Sequence, residues 1–348
     1  MIADPDALAG LVGRLAEFPQ IALDTEADSL HCYFEKLCLI QISIGDEHAL
    51  VDPLASLDLQ PLFDVVCSKR LVLHGADYDL RLLRRGGTFE PIDLFDTMIA
   101  ARLSGQPALG LAALVEKFFG VQLSKASQKA NWAIRPLPGQ MAEYARNDTR
   151  YLLEIAALLE ADLRRLNRWE WFIESRDRMI ASTRELRERD DTTVWRISGS
   201  SALSPQAQAV LRIMWFWRDA EAKAWDRPSF HVIGNEDMLR VAEQVTNGGA
   251  YSTPRMNGHR RKSFEVVLAL ALQIPESEWP RTERVRRTRA PKDHLAKFEI
   301  LKKKRDAIAV DLALDPSIIA PRAALEAAAD DPSTALLMTW QRKLLELN

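Results

Sequence analysis

Five acids and one tyrosine stand at spacings that could do chemistry. Asp24 and Glu26 lie two apart after Ile21-Ala22-Leu23, and the two-residue period of a β-strand points both side chains to one face. Carboxylates sharing a face repel; they tolerate each other when one takes up a proton or a cation sits between them. By itself the pair is better read as a solvated strand end. The run His74-Gly75-Ala76-Asp77-Tyr78-Asp79 follows the apolar Leu71-Val72-Leu73 and leads into a helix whose apolar side includes Leu82 and Leu83. The carboxyl end of a strand is where open α/β sheets place their sites. Asp77 and Asp79 point to different sides of that helix, so Asp77 reads as its N-cap and Asp79, one turn in, as a ligand candidate. His74 reads as a hydrogen-bonded, half-buried histidine. Tyr144 and Asp148, at i and i+4, share a helical face, a pair that ordinary amphipathic decoration also produces.

The elements that must position these residues can be read from periodicity. A helical pattern over 6–16 precedes the strand at Ile21-Ala22-Leu23-Asp24, followed by a β-rich run over 37–44 and another over 48–51 closed by Asp52-Pro53. That opening predicts a meander. Leu71-Val72-Leu73 is a short apolar strand, 78–85 a helix stopped by Gly86-Gly87, and Ile92-Asp93-Leu94-Phe95 a further strand. From Leu109 the pattern is helical, over 109–119 and in a long run over 140–166. The predicted solution is a mixed sheet flanked by helices.

At 348 residues the chain has room for two or three domains. Ile197-Ser198-Gly199-Ser200-Ser201 reads as a linker, and Ser204-Pro205 as an N-cap with proline at the first helical position, opening a new domain. Two later stretches echo each other. Arg218-Asp219-Ala220-Glu221-Ala222 has Pro228-Ser229 beyond it, and Arg305-Asp306-Ala307-Ile308-Ala309 has Pro316-Ser317. They read as degenerate copies of one small helical unit. Between them, residues 281–305 carry eleven Lys or Arg against three acids.

Composition narrows the chemistry. Three cysteines without a Cys-x-x-Cys pair and six scattered histidines exclude a disulfide framework and the common zinc spacings, leaving oxygen ligands for any metal. No apolar run approaches the roughly 18 residues of a membrane span, and acids stand where a secretory signal is basic, so a cytoplasmic protein is expected. A net charge of −3 does not by itself suggest a polyanion partner.

Asp-x-Glu on a strand, Asp early in a helix, and Tyr-x-x-x-Asp on a later helix together resemble the three motifs of the DEDD superfamily of 3′ to 5′ exonucleases, in its tyrosine branch. Within it the chain is similar to the ribonuclease D family. Further likeness lies in Ile21-Ala22-Leu23-Asp24-Thr25-Glu26, Leu39-Ile40-Gln41-Ile42, Asp96-Thr97 and Trp132-Ala133-Ile134-Arg135-Pro136-Leu137. Glu143 stands where the histidine branch would place its histidine, and Asn131 precedes Trp132 where the family commonly carries an acid. The resemblance implies an α/β ribonuclease H-like exonuclease domain over residues 1–170 and a helical connector and linker over 171–203. Two all-α helicase-and-RNase-D C-terminal (HRDC)-like domains would follow over 204–278 and 292–348, joined by a basic linker over 279–291.

The same resemblance implies two-metal hydrolysis of the terminal phosphodiester, with Asp24, Glu26, Asp79 and Asp148 holding two Mg²⁺ or Mn²⁺ ions and Tyr144 orienting the attacking water. All-oxygen donors suit such hard cations. A phenol of ordinary pKa near 10 positions a water better than it deprotonates one. The expected activity is a 3′–5′ exoribonuclease releasing nucleoside 5′-monophosphates from RNA with a single-stranded 3′ end, tRNA precursors being the substrate the family implies. A DNA exonuclease and a catalytically inactive nucleic-acid scaffold are the alternatives. Outside the site, Arg284, Arg286, Arg287, Arg289, Lys302, Lys303, Lys304 and Arg305 are the candidate phosphate contacts, a solvated charged face being the other reading.

Overall fold

A computed structural model of the chain describes residues 1–185, 189–251, 255–280 and 292–347. The opening helix α1 (Pro5–Ala16) starts as its sequence dictates, with Asp4 accepting from the Ala7 N–H and proline at the first position. Strands β1 (Gln20–Ala27), β2 (Leu37–Ile44) and β3 (Glu47–Val51) form the predicted antiparallel meander. After α2 (Gln60–Cys67) come β4 (Arg70–Leu73), α3 (Asp77–Gly86) and β5 (Asp93–Asp96). Strands β4 and β5 add in parallel on the other side of β1, giving the order β3-β2-β1-β4-β5. The expected mixed sheet is therefore present, with β1 at its centre.

Alternation along β1 divides two cores. Ile21 and Leu23 join Leu8, Leu11, Leu15, Phe63, Leu80 and Leu83 on the face covered by α1, α2 and α3. Ala22 joins Val72 and Phe95 on the opposite face, under α4 (Thr97–Leu103), α5 (Leu111–Phe119) and α7 (Leu152–Arg165). Helix α6 (Gly139–Arg150) crosses β2, packing Met141 and Ala145 against Cys38, Leu39, Leu50 and Trp132. The single helical run expected over 140–166 is in fact two helices broken at Tyr151, whose φ of −106° and ψ of 0° leave the α region. Helix α8 (Trp169–Arg184) adds Phe172 to the second core, with Met179 and Ile180 against the first.

One carboxylate organises the turn that carries Asp79. Asp96, at the end of β5 and 1% exposed, accepts from the Gly75 and Ala76 N–H groups, and also caps α4 through the Met98 and Ile99 N–H groups. Asp77 is not the cap expected of it. It is the first residue of α3, after Ala76, and pairs with Arg81 on the helix surface. Gly75 is required here: its φ is +75°, and a Cβ would stand 2.9 Å from the Met98 Cε.

The remaining helices repeat one unit. In the first copy, α9 (Pro205–Trp225) begins at the predicted Ser204 cap, and α10 (Ser229–Val232), α11 (Asn235–Thr246) and α12 (Gly258–Leu272) follow. Trp215 and Trp217 are core residues of this unit, while Trp225 is exposed and covered by Arg260. The segment 28–36 belongs to the same unit, with Tyr33 donating to Asp219 and Asp226 accepting from the Tyr33 and Phe34 N–H groups. The second copy is α13 (Lys292–Asp311), α14 (Pro316–Ile319), α15 (Arg322–Asp330) and α16 (Thr339–Leu345), grouped around Ile319, Leu325 and Leu345. Arg218 donates to the Ile233 carbonyl and Arg305 to that of Ala320, fifteen residues on in both cases. The echo in the sequence is thus the same arginine staple used twice.

Replacing Asp96 with Ala strands four N–H groups at two chain turns. It should lower unfolding free energy by about 2–4 kcal/mol in urea denaturation; a loss below about 0.5 kcal/mol would contradict the role given to it.

Candidate active site

Asp24 and Glu26 continue the Ala22 face of β1, and α6 lies over that face, so the strand and the helix deliver their acids to one point. One carboxylate oxygen each from Asp24, Glu26 and Asp148 lies within 4.8 Å of the others. Tyr144, one turn before Asp148, faces its carboxylate. These residues line a cavity of about 580 Å³ with His74, Met98, Lys125 and Gln128. His74 is bonded through Nδ1 to the Thr97 hydroxyl, which itself donates to the Leu73 carbonyl. The Thr97 hydrogen is thereby used, so Nδ1 carries the proton, and burial keeps the ring neutral.

Asp79 reaches the site from the other side. Thr25 points to the α3 face of β1, and its hydroxyl donates to Asp79 Oδ1 at 2.5 Å. Only 5% exposed, Asp79 stands behind the three-acid cluster rather than in it, yet near enough for its charge to act on both Asp24 and Glu26.

The tyrosine is held by a clamp. Arg135 donates to both Asp52 carboxylate oxygens at 2.6 Å, and to the Cys38 and Trp132 carbonyls. This fixes Trp132, 1% exposed, with its ring centroid 5.9 Å from that of Tyr144. Asn131, the departure from the family's acid, caps the same loop by accepting from the Ala133 N–H.

Burial dominates the electrostatics, and repulsion between the acids adds to it at Asp24 and Glu26. Burial, reinforced by Asp148 and Asp79, pushes Glu26 up to about 9. Burial raises Asp148 to about 7, against the pull of the Tyr144 hydroxyl, and Asp79 to about 6, against its bond from Thr25. Asp24, part-exposed in the cavity wall, is held well above the carboxylate range by burial and by all three other acids. None of the four forms an ion pair among the described residues. Burial and the facing acids also raise the Tyr144 phenol, which stays protonated at neutral pH. Gln41, paired with Asp24 across the strands, is fully buried, and its side-chain amide has no partner among the described residues. Sequence reasoning missed it; the signal was a lone amide in an apolar strand. Uncompensated carboxylates beside an unpartnered amide fit a divalent cation.

Arg284, Arg286, Arg287 and Arg289 lie outside the described residues. Lys303 is exposed and Lys302 part-exposed on α13, Lys304 pairs with Glu346, and Arg305 is taken up by Asp306 and the Ala320 carbonyl.

A cavity of this kind at the end of a central strand defines a nuclease, and residues 1–164 match the family model described as 3′-5′ exonuclease. The chain is 30% identical to ribonuclease D of Xanthomonas oryzae pv. oryzae over 344 residues, 94% of this chain and 91% of that one. It is 31% identical to ribonuclease D of Escherichia coli over 289 residues, covering 80% and 76%. The crystal structure of Escherichia coli RNase D, described as an exoribonuclease involved in structured RNA processing, superposes with a TM-score of 0.72 at 25% identity, over 99% of this chain and 96% of that one. The chain belongs to the ribonuclease D family and is a 3′–5′ exoribonuclease. Its C-terminal half is consistent with HRDC-like domains. Among the described residues no helix is long and apolar enough to cross a membrane.

A carboxyl whose folded-state pKa exceeds its unfolded value stabilises the fold below about pH 4, and that contribution is lost as pH rises through the folded value. Here the loss runs through about 6, 7 and 9 for Asp79, Asp148 and Glu26. The rise in Tm conferred by saturating Mg²⁺ should therefore grow steadily between about pH 6 and pH 9. Asp24→Asn should raise the Tm of the EDTA-treated protein at about pH 8. A Mg²⁺ effect independent of pH would contradict this electrostatic picture.

Proposed function

We propose that the protein shortens RNA from the 3′ end by hydrolysing the terminal phosphodiester, releasing nucleoside 5′-monophosphates, with Asp24, Glu26, Asp79 and Asp148 holding two Mg²⁺ or Mn²⁺ ions. The observation that carries this reading is the convergence of three repelling carboxylates beside a protonated phenol. Bound there, such ions supply the positive charge that lowers the pKa of a water and stabilises attacking and leaving oxygens. By analogy with the family, Asp24, on which all three other acids act, would serve both ions. Glu26 would hold one and help align the water. Asp79 would complete the set from behind, its remaining oxygen free of the Thr25 bond.

Tyr144 has the task of orientation. With its proton directed at Asp148, the hydroxyl offers its lone pairs to a water O–H, and its raised pKa makes it a positioning group rather than a base. The neutral His74, Met98 and the α5 N-terminal residues Leu111 to Ala113 form the apolar and weakly polar wall against which a terminal nucleoside would lie.

The division of labour follows the family. Residues 1–170 carry the reaction, 171–203 connect, and the HRDC-like units 204–278 and 292–348 with the basic linker 279–291 grip structured RNA. The natural substrates are cytoplasmic RNAs with single-stranded 3′ tails, tRNA precursors foremost. The test uses RNA and DNA tails labelled at the 3′ or 5′ end, in Mg²⁺ or EDTA. Early loss of 3′ label, preference for RNA and sensitivity to EDTA are expected. Asp24→Ala should abolish cleavage, and Tyr144→Phe should lower kcat by about 10²-fold with little change in RNA binding. Cleavage that persists in EDTA, or binding without cleavage in any metal, would overturn the assignment.

A further inference from the structure

The carboxylate cavity can hold only the end of a strand, and the surface beside it shows where the rest could go. The loop after α4 leads from Leu103 through Gly105, Gln106 and Pro107 to Leu109, next to Gly110 and Leu111 in the wall of the carboxylate cavity. This loop lies directly on the second helical copy. Gly105 has a φ of +79°, and a Cβ there would meet the Ala313 carbonyl oxygen at 2.8 Å. Arg168, 5% exposed, ties the seam by donating to the Leu103 carbonyl at 2.8 Å and the Leu312 carbonyl at 2.6 Å. Trp171 stacks on Trp340 with centroids 4.6 Å apart, and Glu174 accepts from the Thr339 and Trp340 N–H groups. The seam is therefore a fixed feature of one compact unit.

Two further cavities open along it, of about 560 and 420 Å³, and Arg102, Ser317 and Ile318 line both. The first borders the loop at Gln106, Pro107 and Leu109; the second runs on past Ser175, Arg178 and Met338. Together they form a groove that starts one residue from the carboxylate cavity.

Its charge is the reverse of that cavity's. Arg102 is exposed, and its guanidinium has no hydrogen bond or ion pair among the described residues. Arg178 is also exposed, with one long bond of 3.4 Å to the Leu336 carbonyl. Lys117 is hydrogen-bonded to Gln106 at the groove's edge. The single acid in the two linings, Asp315, accepts from the Ser317 N–H and hydroxyl and lies near Arg305. Between the cations run Ile318, Met179 and Met338, a part-exposed apolar strip of the kind bases pack against.

We propose that this groove is the track for the RNA strand upstream of its 3′ end, with Arg102 and Arg178 on successive phosphates and bases along Ile318 and Met338. The inference rests on the exoribonuclease reading and adds the path of the substrate to it. A strand whose end is in the carboxylate cavity carries one negative charge per nucleotide, and exposed guanidiniums with no acid partner among the described residues, along a groove leading from that cavity, are where those charges are best met.

The test compares the full-length wild type with Arg102→Glu, Arg178→Glu and the double variant on a single-stranded RNA dodecamer and a dinucleotide. The quantity read is kcat/KM for the dodecamer divided by kcat/KM for the dinucleotide. The double variant should lower this ratio at least tenfold, and the salt slope of dodecamer binding should fall by roughly 1.4, about 0.7 for each phosphate deprived of its arginine. Arg102→Lys should keep most of the ratio. A ratio unchanged in the double variant at wild-type Tm would overturn the track while leaving the exonuclease assignment intact. If the wild type cleaves neither RNA, the exonuclease assignment fails and the track with it.

Discussion

Three carboxylates held within 4.8 Å of one another in a protein-walled cavity, with no ion pair among the described residues, are the constraint to which the rest of the nuclease unit answers. In water such groups would separate or turn outward, but here the backbone denies them the choice. Asp24 and Glu26 are fixed by the period of a central strand whose other face is filled by Ile21 and Leu23. Asp148 is fixed by a helix whose apolar side packs on β2 and Trp132. The folding free energy of those cores maintains a local repulsion that a divalent cation then relieves, so affinity for the ion is built by the fold rather than by the ligands alone.

Supporting contacts act at a distance from the acids. Asp96 gathers the turn before α3 and the start of α4, which places Asp79 behind β1 and Met98 in the cavity wall. Arg135, bidentate to Asp52, holds the loop bearing Trp132 against Tyr144. Arg218 and Arg305 perform one duty in the two helical copies, each closing its long helix onto the chain fifteen residues later. In each case a charged side chain satisfies backbone groups that the turn or helix end leaves unpaired, a task no apolar side chain can perform.

What could be read from the sequence follows the range of the interactions. The acids at 24 and 26 share a face because of the strand period alone, and Tyr144 with Asp148 because of the helix period alone; both are local rules. Asp79 was readable as an acid near the site, but not its place behind Thr25, since that needs the two faces of β1 to be distinguished. Asp77 was expected to cap α3, and does not, because the helix begins at Asp77 itself after Ala76, and the turn before it is held by Asp96 at the end of β5. The break at Tyr151 has no glycine or proline to announce it. Gln41 and the Arg102 groove are products of strand pairing and of packing between remote helices, which leave no periodic trace. The paired arginines did leave one, as a short repeat of sequence.

The central claim is that the acids are mutually incompatible until a cation joins them, and carboxyl ¹³C NMR titration of Glu26 in the metal-free protein tests it most directly. The Glu26 resonance should titrate near 9 in EDTA and cease to titrate above about pH 6 when Mg²⁺ is saturating. A midpoint near the ordinary value of about 4.3, unmoved by Mg²⁺, would contradict the account.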